Sequence, residues 1–153
     1  MANTYTQLYA QIIFSPSGRQ NLLHNRIKED VYKYIIGIIK KKNQIPFIIN
    51  GMPDHIHILI GFSPDKSISE LVRDVKANST NYINKNKLVT GKFSWQKGFG
   101  AFTYSKSQVP SVIRYIQHQE EHHQKKTFRQ EYIELLDKYK IKYTNDYLFE
   151  WYE

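Results

Sequence analysis

Over residues 6–14 apolar and polar positions alternate, with Leu8, Ala10, Ile12 and Phe14 on one side and Gln7, Tyr9 and Gln11 on the other. A period of two predicts a strand with one covered face and one more polar face. Ser15, Pro16, Ser17 and Gly18 then read as a turn. Over residues 24–43 the period lengthens to that of a helix, with Ile27, Val31, Tyr34, Ile35 and Ile38 inward, and Lys40, Lys41 and Lys42 close it where the helix dipole favours cations. Residues 45–50 predict a second strand, and residues 51–54 turn the chain into a third that begins at His55, so the two strands form an antiparallel hairpin. Ser67 to Glu70 matches a capping box and opens a second helix with Ile68, Leu71, Val72, Val75 and Tyr82 inward. Its other side carries Arg73, Lys76, Asn78 and Lys85, either a phosphate-contacting surface or ordinary solvated helix. Residues 101–104 predict a fourth strand, preceded by a glycine-bearing loop in which Trp95 and Phe99 offer either base-stacking surfaces or core. A last patterned helix covers residues 107–125, with Val109, Val112, Ile113 and Ile116 as its apolar stripe.

The order β, α, β, β, α, β is that of an α+β, ferredoxin-like or RRM-like sandwich: a four-stranded antiparallel sheet, helices on one face, and here one more helix after it. The apolar sides of the strands must meet the helices, which leaves the polar side of the first strand on a free face. With no repeat, linker or composition break, residues 1–153 are expected to form a single domain.

Composition narrows the function classes. The absence of cysteine excludes disulfides and thiolate metal sites, and the lack of an apolar N-terminal run or membrane-length segment points to a cytoplasmic protein. A formal charge of +8 together with 12 tyrosines and 8 phenylalanines suits a polyanion whose bases can stack, so single-stranded nucleic acid is favoured over a membrane surface.

Two places carry candidate chemistry. In His55-Ile56-His57 at the start of a strand, side-chain alternation puts both imidazoles on one face and Ile56 on the other. The pair reads either as two ligands for a divalent ion or as hydrogen-bonded histidines at a strand mouth. On the last helix Tyr115 and Gln119 lie one turn apart on a flank of the apolar stripe, with Gln108 and His122 extending that flank and His118 pointing toward solvent. An ion held by His55, His57 and the Gln119 carboxamide, with Tyr115 attacking a phosphate, would make a phosphoryl-transfer site; Tyr115 as an ordinary edge residue is the alternative.

His55-Ile56-His57, the WQKGFGAFTYS segment after it and the YIQHQEEHH helix that starts at Tyr115 together resemble the single-tyrosine HUH transposases of the insertion-sequence 200/605 group, including relatives that act at repetitive extragenic palindromes. The likeness runs over residues 5–132. It implies an enzyme that cuts and rejoins single-stranded DNA beside hairpins through a 5′-phosphotyrosine, with magnesium or manganese and no nucleotide cofactor. By motif position it implies Tyr115 as nucleophile and His55, His57 and Gln119 as metal ligands. It further implies a homodimer whose tyrosine helix can be exchanged between subunits. A catalytically silent single-stranded nucleic-acid-binding domain of the same fold, and a metal-dependent hydrolase of small phosphate esters, remain the competing readings. Tyr139, Tyr143, Tyr147, Trp151 and Tyr152 of the C-terminal tail belong to no motif, and packing is their simplest expected role.

Overall fold

The computed structural model describes residues 3–152; Met1, Ala2 and Glu153, the ends of the expected domain, lie outside the described residues. Four strands, β1 (Tyr9–Phe14), β2 (Ile45–Met52), β3 (His55–Gly61) and β4 (Gly100–Tyr104), form one antiparallel sheet in the order β2-β3-β1-β4. Two long helices, α1 (Asn25–Lys41) and α2 (Ile68–Lys85), occupy the connections expected of the sandwich. After β4 come α3 (Val109–Gln117), the single-turn α4 (Gln119–His122) and α5 (Phe128–Lys138). The chain is therefore the α+β sandwich predicted, with the tyrosine-bearing helix after it.

The apolar alternation decides which way each strand faces. Ala10, Ile12 and Phe14 of β1 and Ile56, Ile58 and Ile60 of β3 are all buried in one cluster with Ile27, Val31 and Ile35 of α1 and Leu71, Val72 and Val75 of α2. Each such side chain contributes about 1.5–3 kcal/mol on burial, which makes this face the main source of stability. Ser67 caps α2 as its sequence predicts, accepting from the Glu70 amide at 3.1 Å. Two aromatics depart from the predicted stripes. Tyr34 and Tyr82 leave the core to Tyr32 and Ile83 and stack on each other at the α1–α2 surface, 3.9 Å between rings. A phenol keeps its hydroxyl wet there, and Tyr82 donates to Asp30 at 2.7 Å.

The second face is not free. All seven residues of β3 are buried, and Leu59 packs with Val109, Val112 and Ile116 of α3. The physical reason lies in Leu59, Tyr9 and Ile48, which point to that side and need an apolar cover. Trp95 belongs to the core: its indole donates to Ser79 at 2.9 Å and its ring meets Phe14 edge-on at 4.8 Å. Lys76 is withdrawn from the basic surface expected of α2, because its ammonium donates to the carbonyls of Gln96 and Gly98 at 2.9 and 2.6 Å.

The tail folds back. Phe149 and Trp151 pack on Phe128 and Tyr132, the Gly18 amide donates to the Tyr152 hydroxyl at 2.5 Å, and the Glu150 amide donates to Gln96 at 2.7 Å. No helix among the described residues is long and apolar enough to cross a membrane.

Candidate active site

The histidine pair is positioned by the tight β2–β3 hairpin. Met52 pairs with His55 and Gly51 with Ile56. A Cβ on Gly51 would sit 2.2 Å from the His55 carbonyl oxygen, so only glycine lets the two backbones approach this closely beside the site. Both imidazoles are fully buried, on the same face as Gln11 of β1.

Each ring is oriented from behind. His57 donates from Nδ1 to the Gln11 carboxamide oxygen at 2.6 Å, and the Gln11 amide donates to the Tyr104 hydroxyl at 2.7 Å, which fixes which end of Gln11 faces the ring. His55 donates from Nδ1 to Asp54 at 2.7 Å and lies flat on Phe128, 4.0 Å away with an interplanar angle of 2°. With both Nδ1 atoms engaged, both Nε2 atoms turn to a common centre, the usual way a hydrogen bond on one ring nitrogen selects the other for a ligand.

Three further groups meet there. The Gln119 carboxamide oxygen is 3.0 Å from His55 Nε2, although the two residues are 64 apart in sequence. Glu131 Oε1 lies 3.1 Å from His57 Nε2 and 3.3 Å from His55 Nε2. His123 directs Nε2 to both Gln119 Oε1 and Glu131 Oε1 at 3.1 Å. Tyr115 donates its hydroxyl to Glu131 Oε2, which also accepts from the Gln119 amide at 3.0 Å, and its ring is 5.9 Å from that of His57. The structure thus brings together all four residues singled out in the sequence and adds Glu131 and His123.

Gln119 reaches this centre because the last patterned helix is not continuous. It breaks at His118, between α3 and α4. Asn50 of β2 donates to the carbonyls of Ile116 and Gln117 at 2.9 and 3.2 Å, and His118 donates from Nδ1 to the Arg114 carbonyl at 2.6 Å. These bonds satisfy carbonyls at the end of α3 from outside the helix. Gln119, expected on a flank, is completely buried, whereas His118 stays exposed as predicted.

Glu131 arrives on α5, an element the hydrophobic pattern did not reveal. A reciprocal box starts α5: the Gln130 amide donates to the Thr127 hydroxyl at 3.2 Å, and the Thr127 amide donates to the Gln130 side chain at 2.9 Å. Phe128, Glu131, Tyr132 and Leu136 then share the buried side of α5. The T-x-x-Q spacing is the signal from which the helix is legible; nothing local marks Glu131 as inward.

Burial alone would raise the Glu131 carboxyl, but the charge of His57 and hydrogen bonds from His123, His55 and His57 outweigh it and hold the group well below the usual carboxylate range. For His55 burial acts to lower the pKa, and Asp54 and Glu131 reverse it, so the ring is pushed up to about 9. Burial keeps His57 below its ordinary value. With Nδ1 donating to Gln11, His57 turns Nε2 to the Glu131 carboxylate oxygen 3.1 Å away, a gap that takes either a proton on Nε2 or a cation shared by the two atoms. His55, His57 and Glu131 offer ligand atoms all within 4.8 Å of one another, a mixed nitrogen and oxygen set that suits a divalent ion. Burial and then the charge of Glu131 hold the Tyr115 phenol well above its ordinary pKa.

Tyr115 is reached from a cavity of about 470 Å³, lined among others by Gln108, Ser111, Lys126, Lys138 and Tyr139. Its wall carries Lys126 and Lys138 beside Glu131 and Glu134, and Lys126 donates to Glu134 at 2.6 Å.

Comparisons with known proteins bear on the fold and the family. Two solved structures share the fold. One, a crystal structure of a candidate transposase from Deinococcus radiodurans R1, matches with a TM-score of 0.60 and 18% identity over 78% of this chain and 95% of that one. The other, a REP-associated tyrosine transposase bound to a REP hairpin, matches with a TM-score of 0.60 and 15% identity over 80% of this chain and 73% of that one. The ISDra2 transposase TnpA of Deinococcus radiodurans is 24% identical over 119 residues, 74% of this chain and 84% of its own length. The model of the IS200-like transposase family matches residues 4–119, and the chain belongs to that family.

Proposed function

We propose that this transposase cuts and rejoins single-stranded DNA beside hairpins by forming a 5′-phosphotyrosine at Tyr115. The observation that carries the reading is the convergence of the Tyr115 hydroxyl, the Gln119 carboxamide and two back-oriented imidazoles on one carboxylate. The hairpin held by the REP-associated relative supports a hairpin-bearing substrate.

His55, His57 and Gln119 would hold a divalent ion, magnesium or manganese, with Glu131 Oε1 as a further oxygen donor. The ion would supply neutralising charge for a phosphate. Tyr115 Oη attacks phosphorus as its proton leaves, a phenol O–P bond forms, the P–O3′ bond breaks, and the departing 3′-oxygen takes up one proton to become a free 3′-hydroxyl, so the proton lost by the phenol balances the one the leaving group gains. Glu131 Oε2 accepts the phenolic hydrogen bond and so stands where the Tyr115 proton must leave. Gln11 and Asp54 keep the imidazoles aimed inward, and the α3–α4 break keeps Gln119 beside them. No nucleotide cofactor is required by this chemistry. Rejoining is the same displacement run with an incoming 3′-hydroxyl.

The protein acts as a homodimer formed from one domain spanning residues 1–153, in the cytoplasm. Edge strand β2 carries exposed Ile45 and Phe47, and an unpaired apolar edge of this kind supports sheet-to-sheet association. The tyrosine helix can be exchanged between the two subunits.

The test is incubation with hairpin-flanked single-stranded DNA and manganese, followed by denaturing electrophoresis. A covalent adduct is expected with the native chain and none with Tyr115→Phe. An adduct that persists in that variant overturns the assignment of the nucleophile. His55→Ala should bind the DNA and form no adduct; a hydrolase of small esters would instead turn over without any protein-bound intermediate.

A further inference from the structure

The C-terminal segment between α5 and the packed tail is not needed to build the site, yet it is placed beside it. From Lys138 to Tyr147 the chain reads KYKIKYTNDY, three lysines alternating with apolar or aromatic residues and one acid, Asp146. Residues 140–147 are all exposed, Tyr147 at 89% and Tyr143 at 40%. The segment is nevertheless tied at both ends. The Ile141 amide donates to the Leu136 carbonyl at 2.9 Å, and Phe149 is buried against Phe128 and Tyr132. Two large aromatic rings are thus held in water on fixed backbone, where neither stabilises the core.

The segment is continuous with the cavity that holds Tyr115. Lys138 and Tyr139 line that cavity. Tyr139 packs on Phe102 of β4 at 5.4 Å, and Phe102 in turn lines a groove of about 510 Å³ between β4 and the segment, with Lys142, Tyr143 and Tyr147 on its far wall. The chain itself joins the two, from Lys138 and Tyr139 on the cavity wall to Lys142, Tyr143 and Tyr147 on the groove wall, so cations and rings alternate along it outward from Tyr115. Lysine spacing along a track neutralises successive phosphates, while exposed rings stack on bases of any identity, provided those bases are unpaired. The one acid in the stretch does not reverse its charge.

We propose that residues 138–147 form a strip that binds one single-stranded flank of the DNA as it leaves the Tyr115 cavity, with Lys138, Lys140 and Lys142 on phosphates and Tyr143 and Tyr147 under bases. This rests on the single-strand reading of the function above.

The experiment uses the full chain and a fluorescein-labelled oligothymidylate of about 20 nucleotides, long enough to cover a cavity and a flank, with a duplex of equal length as control. Tyr143→Ser combined with Tyr147→Ser should weaken single-strand binding at least about tenfold, since each stacked base contributes about 1–3 kcal/mol, and leave duplex binding unchanged. Lys140→Gln combined with Lys142→Gln should flatten the log–log salt dependence by about 1.4, two phosphates at about 0.7 each. Both double variants should melt at the temperature of the native chain, because the altered side chains are exposed. In the native chain, a strand carrying iododeoxyuridine should crosslink to the peptide containing Tyr143 and Tyr147. Unchanged affinity and salt slope, or crosslinks that map elsewhere, overturn the strip. The adduct assay separates the two readings: an adduct at Tyr115 with no effect of the strip variants sinks the strip alone, and strip-dependent binding with no adduct sinks the nucleophile alone.

Discussion

The two faces of the sheet are built on opposite principles. Toward α1 and α2, Ala10, Ile12, Phe14, Ile56, Ile58 and Ile60 meet a continuous aliphatic layer. Toward α3, α4 and α5, the same two strands present Gln11, His55 and His57, and the layer opposite supplies Gln119, His123 and Glu131. One face is stable because its contacts are interchangeable; the other depends on a shared set of polar partners centred on Gln119 and Glu131. A buried polar cluster of this kind is strongly held when complete and costly when a single member is lost.

The contrast can be broken at its strongest point first. His57→Ala should reduce Tyr115 adduct formation by about 10²–10³-fold or more, the scale of losing a group that stabilises charge in a transition state, as measured by single-turnover electrophoresis. Phe14→Ala on the other face should do the reverse: it should lower unfolding free energy by about 3–5 kcal/mol in a urea titration, while adduct formation in the folded fraction stays within a few fold. If His57→Ala retained activity, or Phe14→Ala destroyed it without unfolding, the division of labour between the faces would be wrong.

Finer substitutions sharpen it. Asp54→Asn removes the carboxylate behind His55 and should weaken manganese affinity by about 10–100-fold, read by calorimetric titration, with little change in melting temperature. Asn50→Ala frees the carbonyls of Ile116 and Gln117 and should cost about 1–3 kcal/mol, appearing as faster amide exchange around His118 and Gln119 and slower adduct formation. Equal exchange rates in that variant would mean that Asn50 does not hold the break.

These differences also explain what could be read in the sequence. The aliphatic face was legible because period-two and period-3.6 patterns are local, and β1, α1, β2, β3, α2 and β4 all followed from them. His55, His57, Tyr115 and Gln119 stood out as a set only through the family resemblance, since spacing alone left both places open, and the structure brings their polar atoms together. What local pattern could not carry was long-range. Gln119 turns inward because Asn50, 66 residues before Ile116, satisfies a helix end from another strand. Glu131 looks in sequence like any solvated helix acid near Glu134 and Asp137, and only the histidines of β3, together with His123, give it a reason to be buried. Tyr34 and Tyr82 fit apolar stripes by position, but their hydroxyls make a stacked pair at the surface the better solution.

The placement of Glu131 has a consequence for how this chain can be divided. The family model matches residues 4–119, while the carboxylate that meets His55, His57 and His123 lies twelve residues further on. A fragment cut where that match stops would retain every strand of the sheet, Tyr115 and both imidazoles of the His55–His57 pair. It would lose the carboxylate that makes burying those rings tolerable and the ring of Phe128 on which His55 rests. A border drawn at the end of that match would then pass through the middle of the cluster of polar groups around His55 and His57.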